Sequence, residues 1–433
     1  MSAGQTVPPR PARNIALAFV LFLGGIFLVV GLGLALGLGP LPHSDWALYW
    51  TSAGDASAYE RGGVGLWLLA VPRLLGFGPV GAALLLNLAA GLVVLGISWK
   101  MDRSRKHLLA ILTATYLIML APYVGIVQLD MLAAAFVAAA LACLSASATH
   151  PRPARLRAVA VGLLACAVST KPQYALLAWA LVVLLALPAW HWRRREPGSR
   201  AFLGVLLLGS LAGFAADNLM RAMSGKSDAL RTSSAVTLYA GLLVSGTESC
   251  GYWSRDASQA ARDDMDMPLP VAIGGRLAAR PASHWLSVLG CKAPQVIRPP
   301  PFALYWLLEA PNVRAAMDSS PHSTWVEARY QRAMEAERRI YAVLTFLLVA
   351  GLFASALLAW RRGGRFLAML PLAWLLSFWG VHLVFEIQGR YFLGLFLLAP
   401  LVSAVALGAA SRRPPAEPVE CRASPRTPPE PTR

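Results

Sequence analysis

Apolar runs of membrane length recur along most of this chain, and they leave it few folds. About ten of them lie near 14–39, 77–98, 107–121, 126–148, 156–170, 173–190, 201–219, 340–360, 366–384 and 391–411. Roughly 20 apolar residues in a helix cross the ~30 Å hydrocarbon core of a bilayer. Charged residues make up 14% of the 433, against about 25% in a soluble globular protein. The expectation is an all-α polytopic membrane protein with about ten transmembrane helices. The first run is too long for a signal peptide and ends without a small-x-small cleavage site. The fifth and sixth are short and are joined through Lys171-Pro172.

The net charge of +17 raises nucleic-acid binding as a class, but its distribution points to a membrane instead. Arg10 and Arg13 precede the first run; Lys100, Arg103, Arg105 and Lys106 follow the second; Arg152, Arg155 and Arg157 follow the fourth. Arg193, Arg194, Arg195 and Arg200 follow the sixth, Arg361, Arg362 and Arg365 the eighth, Arg412 and Arg413 the last. Every second connection is basic, and the short loops between carry isolated cations. The positive-inside rule then puts both termini in the cytoplasm of a cell inner or plasma membrane. The loop at 40–63, the Pro122–Val127 turn, the Lys171 turn and the Glu386–Tyr391 turn face the other side.

The organisation follows from these runs. Residues 1–12 read as a Pro-rich disordered tail and 412–433 as a second cytoplasmic tail. Residues 13–219 form a seven-helix membrane block, 220–338 a mainly helical external segment, and 339–411 a three-helix membrane block. Residues 64–76 read as an interfacial helix, with Trp67, Leu68, Val71 and Leu75 on one face and Arg73 reaching back to the surface. Helices are expected over 272–290 and 302–310, broken by Pro294 and by Pro299-Pro300-Pro301. Another, over 324–339, leads into the eighth run.

Of five cysteines, Cys143 and Cys166 fall inside apolar runs and Cys421 in the tail. Cys250 and Cys291 share the external segment, where a disulfide is plausible on an oxidising side and would contribute roughly 4 kcal/mol by the chain-entropy estimate. Two unpaired thiols are the other reading. The chain has no CxxC, HExxH, Walker loop or dinucleotide-binding glycine pattern, so no cofactor and no metal ligand set is assigned. Asp263, Asp264 and Asp266 read as a solvated charged turn, which leaves metal dependence open.

Polar residues of the expected outer side cluster where charge is costly in a membrane. Asp45 and Tyr49, in His43-Ser44-Asp45-Trp46-Ala47-Leu48-Tyr49, share a face if this stretch is helical. Asp130 opens the fourth run, Lys171 sits between the fifth and sixth, and Glu386, Gln388, Arg390 and Tyr391 precede the last. Cations can hold the phosphate of a leaving group. A carboxylate can take the proton of an attacking hydroxyl, and aromatic rings can stack on sugar faces or anchor at the interface. Each also has a structural reading: Asp45 as a helix cap, Asp130 as a cap or as the partner of Lys171, Arg390 and Tyr391 as interface residues.

The order of these motifs resembles the C-type (GT-C) superfamily of integral-membrane glycosyltransferases, which take sugar from a polyprenyl-phosphate carrier. The matching elements are Asp45-x-x-x-Tyr49 with Ala53 and Tyr59-Glu60-Arg61-Gly62, Gln128-Leu129-Asp130, Thr170-Lys171-Pro172-Gln173, and Glu386-x-Gln388-x-Arg390-Tyr391. The segment Leu238 to Asp256, with Gly241, Glu248, Gly251 and Tyr252, is similar to that of bacterial members near the protein O-mannosyltransferases. The resemblance implies inverting transfer at the outer face. Asp45 would be the general base, with Asp130 a second acidic site residue, Lys171 and Arg390 on the carrier phosphate, and Tyr49, Glu386 and Tyr391 lining the substrate site. The partners would be a polyprenyl-phosphate-sugar donor, a glycan, lipid or protein acceptor and membrane lipids, with no nucleic acid. Where family members carry paired acidic residues in the first loop, Ser44 and Trp46 here flank one Asp. A lipid-linked saccharide flippase or transporter, and a glycan polymerase or ligase using Arg298 and Arg314, stay open as alternatives.

Overall fold

The computed structural model describes residues 10–55, 62–101, 107–186, 199–223, 236–246, 249–264, 266–300 and 302–410. The two expected tails (apart from the first helix's start), Tyr59-Glu60-Arg61, Glu248, Cys421 and several of the basic clusters lie outside the described residues.

No strand occurs among the described residues, most of which are helical. The helices are α1 (Arg10–Leu38), α2 (Ser44–Thr51), α3 (Gly63–Leu74), α4 (Pro79–Met101), α5 (Leu108–Leu120), α6 (Asp130–Ser147), α7 (Pro153–Thr170), α8 (Ala175–Ala186) and α9 (Ser199–Met223). After them come α10 (Arg255–Asp263), α11 (Leu269–Ala278), α12 (Ala282–Ile297), α13 (Ala303–Leu308), α14 (Pro311–Asp318), α15 (Ser323–Arg361), α16 (Arg365–Leu375), α17 (Val381–Val384) and α18 (Leu393–Ala410). Among the described residues eight helices are long and apolar enough to cross a membrane. Large apolar side chains on their outer faces are exposed, among them Ile15, Leu21, Val29 and Phe346. Such a surface suits lipid rather than water, and the chain is a polytopic helical membrane protein. Apolar helices at Leu108–Tyr123 and Pro172–Leu184, where two further runs were read, are shorter.

Two spans form the centre of the bundle. The one starting at Asp130 is 67% buried and the one starting at Gly389 is 78% buried, against 28% for the first. Ala133, Ala134, Ala138 and Ala140 have almost no exposed surface; small side chains let neighbouring helices approach closely. These central helices begin at the same end of the bundle, so Asp130 and Arg390 come to lie near its axis.

Between the membrane helices, the helix expected over 272–290 is two. The chain breaks at Arg280-Pro281, and α12 runs on through Pro294 to Ile297. A proline in a last turn removes a single helix bond, here the one to the Gly290 carbonyl; the Val296 carbonyl, left open by the helix end itself, accepts from Trp379 Nε1 at 3.0 Å. The polar stretch at 324–339 is the first half of α15, a continuous helix of 39 residues. Helix α3 buries Gly63, Gly65, Leu66, Leu69 and Pro72 and exposes Trp67, Val71, Leu74 and Leu75. Its Arg73 does not simply reach for a surface: Nη1 donates to the carbonyls of Trp50, Thr51 and Ala53 at 3.0–3.4 Å. It thereby supplies positive charge where α2 ends, as helix carboxyl termini favour.

Candidate functional site

Four chain segments converge at the polar end of the bundle. Helix α2 follows Gly39 and Pro40, and its first turn carries Asp45. Asn312 secures the approach to it, donating to the Gly39 carbonyl at 3.0 Å and accepting from the Leu41 amide at 2.8 Å. One turn on, Tyr49 is 1% exposed and points the same way. Gly62 makes this tight seat feasible. Its φ is +94°, and an added Cβ would come within 3.0 Å of the Tyr49 ring and 3.2 Å of Leu129.

Leu129 itself has φ +60°, a rare conformation for a bulky residue. The reversal there turns Gln128 and Asp130 into the bundle, where both are fully buried. Lys171 ends α7 because Pro172 follows: the residue before a proline is pushed out of the helical region, and Lys171 sits at φ −144°, ψ 99°. Its side chain folds back inward, 6% exposed. Arg390 lies in a short 3₁₀ turn, Gly389–Phe392, and is 2% exposed.

The charges meet in two pairs. Arg390 Nη2 donates to Asp45 Oδ2 at 2.5 Å, while its Nη1 donates to Gln128 Oε1. Lys171 Nζ lies 3.2 Å from Asp130 Oδ2 and 3.4 Å from the Tyr49 hydroxyl. Tyr123 donates its hydroxyl to the same Asp130 oxygen at 3.0 Å. Because Asp45 and Tyr49 share one face of α2, that helix touches both pairs. The guanidinium of Arg390 faces the Trp306 ring at 5.0 Å and the Tyr391 ring at 5.5 Å, as cation–π contacts do. Trp306 also packs on His43 at 5.1 Å, and burial pulls His43 below its usual value, toward the neutral ring.

The pairs differ in access. Asp45 keeps 23% of its side-chain surface and Asp130 keeps none. Buried donors and acceptors without a partner among the described residues gather here: Gln128 Nε2, Asp130 Oδ1 and Arg390 Nε. Such atoms are costly unless something completes them.

Glu386 belongs to a neighbouring arrangement. It accepts from Gln388 Nε2, its amide donates to the Thr237 carbonyl at 2.8 Å, and its carbonyl meets His382 Nδ1 at 2.9 Å. His382 in turn stacks on Tyr391 at 5.2 Å. The fully buried Lys292 donates to the carbonyls of Gly241 at 2.5 Å and Phe385 at 2.9 Å, tying the intervening segment to the Glu386 turn. Beside it, Cys250 and Cys291 are disulfide-bonded with Cα atoms 5.7 Å apart. Burial lowers the Lys292 ammonium from 10.5 to about 7, a fall opposed by the Glu386 carboxylate. Asp264 takes a 2.8 Å ion pair from Arg276 and a 2.6 Å hydrogen bond from Tyr239. Among the described residues no group of three or more His, Cys, Asp or Glu is placed to hold a metal ion.

Sequence reasoning passed over Gln128, Tyr123, Trp306 and Lys292 as site residues. Gln128 stood beside Asp130 in a motif already singled out, and could have been chosen with it. Lys292 and Trp306 carry no local signal, since only tertiary packing buries the one and sets the other over Arg390. Comparison with known proteins finds no matching family model, no matching curated protein and no matching solved structure.

Proposed function

We propose that this protein is a membrane glycosyltransferase that moves a sugar from a polyprenyl-phosphate carrier to an acceptor hydroxyl on the extracytoplasmic face, with inversion. One observation carries the reading: a partly accessible carboxylate, Asp45, is clamped by a buried arginine 345 positions away, beside a second buried acid–cation pair. Holding two ion pairs so close inside a membrane protein is expensive, and active sites are where such arrangements recur.

In this reaction the acceptor oxygen attacks the anomeric carbon from the side opposite the carrier. The bond from that carbon to the phosphate oxygen breaks, and its electron pair leaves with polyprenyl phosphate. The acceptor proton passes to Asp45, whose orientation Arg390 fixes. Arg390 Nε and the Lys171 ammonium are the donors nearest to hand for the departing phosphate, and donors already in place need no rearrangement as charge develops.

The test is incubation of the purified protein with a panel of radiolabelled polyprenyl-phosphate sugars and membrane-extract acceptors. Labelled acceptor together with freed carrier is the expected result. Intact lipid-linked sugar that crosses a vesicle membrane without cleavage would establish transport and overturn the reading.

A further inference from the structure

A cavity of about 1120 Å³ lies in the half of the bundle away from Asp45, between α4, α5, α6, α15 and α18. On α6 its wall starts near Ala142 and Cys143, 12–13 residues beyond Asp130, and on α18 it centres near Ser403, 13 residues beyond Arg390. At 1.5 Å per residue both place it about 20 Å along the bundle from the candidate site. The walls are mostly apolar, with Leu112, Leu348 and Pro400 among them and the hydroxyls of Ser145 and Ser403 between. Among the described residues two cations, Lys100 and Arg362, border it, and no carboxylate does. Neither cation is ion-paired among the described residues, and both are exposed. The volume exceeds the roughly 300–1,000 Å³ of ordinary small-molecule sites.

The geometry points to a second lipid site: an anionic glycerophospholipid seats its acyl chains in this cavity and its phosphate between Lys100 and Arg362. Apolar walls alone would take any chain. The pair of cations selects a headgroup with net negative charge, because a charge-assisted contact to phosphate is the interaction they can make. A zwitterionic lipid brings its own ammonium to the same place and gains less. The proposal does not depend on the glycosyltransferase reading, since it concerns the opposite end of the helices.

Native mass spectrometry of the purified full chain tests it, with phosphatidylglycerol, phosphatidylcholine and polyprenyl phosphate as probes. Wild type is expected to retain phosphatidylglycerol at least tenfold better than phosphatidylcholine. Lys100→Ala with Arg362→Ala removes that preference. Gly351→Phe provides the second variant: Gly351 lines the cavity, and nothing lies within 4 Å of where its Cβ would be. A ring can therefore enter the space without a clash at its root, and retention of both phospholipids should fall. Equal retention of the two phospholipids by wild type, unchanged retention in both variants, or displacement of phosphatidylglycerol by polyprenyl phosphate would each overturn the assignment.

Discussion

Asp45 with Arg390 and Asp130 with Lys171 join helix ends at the same end of the bundle, yet one carboxylate keeps 23% of its side-chain surface and the other none. The closed pair is wrapped by Tyr123 and Tyr49, and of its two partners Lys171 alone keeps any side-chain surface, 8%. A buried pair of this kind contributes little net stability but is severely destabilising when one partner is lost. In the open pair the carboxylate is far more exposed than its cation, 23% against 2%. This contrast separates a carboxylate suited to exchanging a proton from one that keeps a lysine charged and in place.

The largest expected effect comes from breaking the open pair. Asp45→Asn keeps an oxygen for Arg390 and removes the basicity, so turnover should fall by roughly 10²- to 10⁴-fold. It also leaves the Arg390 guanidinium, 2% exposed, against a neutral amide, so the melting temperature in detergent should fall too, by less than for the fully enclosed pair because Asp45 already meets solvent. Near-normal transfer by this variant would remove Asp45 from the chemistry. Asp130→Asn should act the other way round. It leaves the Lys171 ammonium buried against a neutral group, a loss on the order of 3–5 kcal/mol, seen first as lower yield and melting temperature. Adding Lys171→Met should restore much of that stability without restoring activity. If Asp130→Asn were as stable as wild type and inactive, the roles of the two acids would be exchanged.

Much of this arrangement was legible in the sequence, for identifiable reasons. Hydrophobic length marks helices in a membrane, and a carboxylate beside aromatic residues at the end of an apolar run stands out because it is costly there. The periodicity of Asp45 and Tyr49 is local, as is the helix break that Pro172 imposes on Lys171. Partner choice was not legible. Asp45 and Arg390 are separated by almost the whole chain, and nothing near either residue names the other. Lys292 reads as an ordinary lysine of a polar segment. Its burial is decided by Gly251, against which its stem packs, and by the Cys250–Cys291 link next to both. Pro294 misled as a helix breaker because its cost depends on where in the helix it falls.

Support for the open pair from outside the bundle can be weakened in steps. Gly241→Ala would set a Cβ 2.2 Å from the Phe385 carbonyl carbon and 2.5 Å from the Glu386 amide. Those are backbone atoms that cannot turn aside, so the Glu386–Arg390 turn must move and Arg390 with it. Transfer should fall at least tenfold while membrane insertion is kept. Reducing the disulfide, or Cys250→Ser with Cys291→Ser, opens a loop with a sequence separation of 41. It should cost about 2–4 kcal/mol and loosen the same turn less than a backbone clash does. An unchanged melting temperature after reduction would detach this link from the site.

The mildest probe is pH, acting through Lys292. In the unfolded chain this lysine titrates near 10.5, and in the fold near 7, because burial disfavours its charged form more than Glu386 supports it. Below about pH 7 it is protonated in both states, and the full cost of burying its charge weighs on the fold. Between about 7 and 10.5 the unfolded chain binds the extra proton and the folded one does not. Stability therefore rises with pH across that window and levels off above it. The neutral amine still donates to the Gly241 and Phe385 carbonyls, so the latch survives the loss of its charge. Lys292→Met should flatten the rise, seen as a melting temperature that no longer climbs by a few degrees from neutral to alkaline pH. At alkaline pH, where the wild-type amine is neutral in the fold, the substitution should lower the melting temperature, since it strands two buried carbonyls. Asp45→Asn, which leaves Lys292 and its surroundings intact, should keep the wild-type pH slope. A slope lost in the Asp45 variant and kept in the Lys292 variant would place the titrating group in the open pair instead of in the latch.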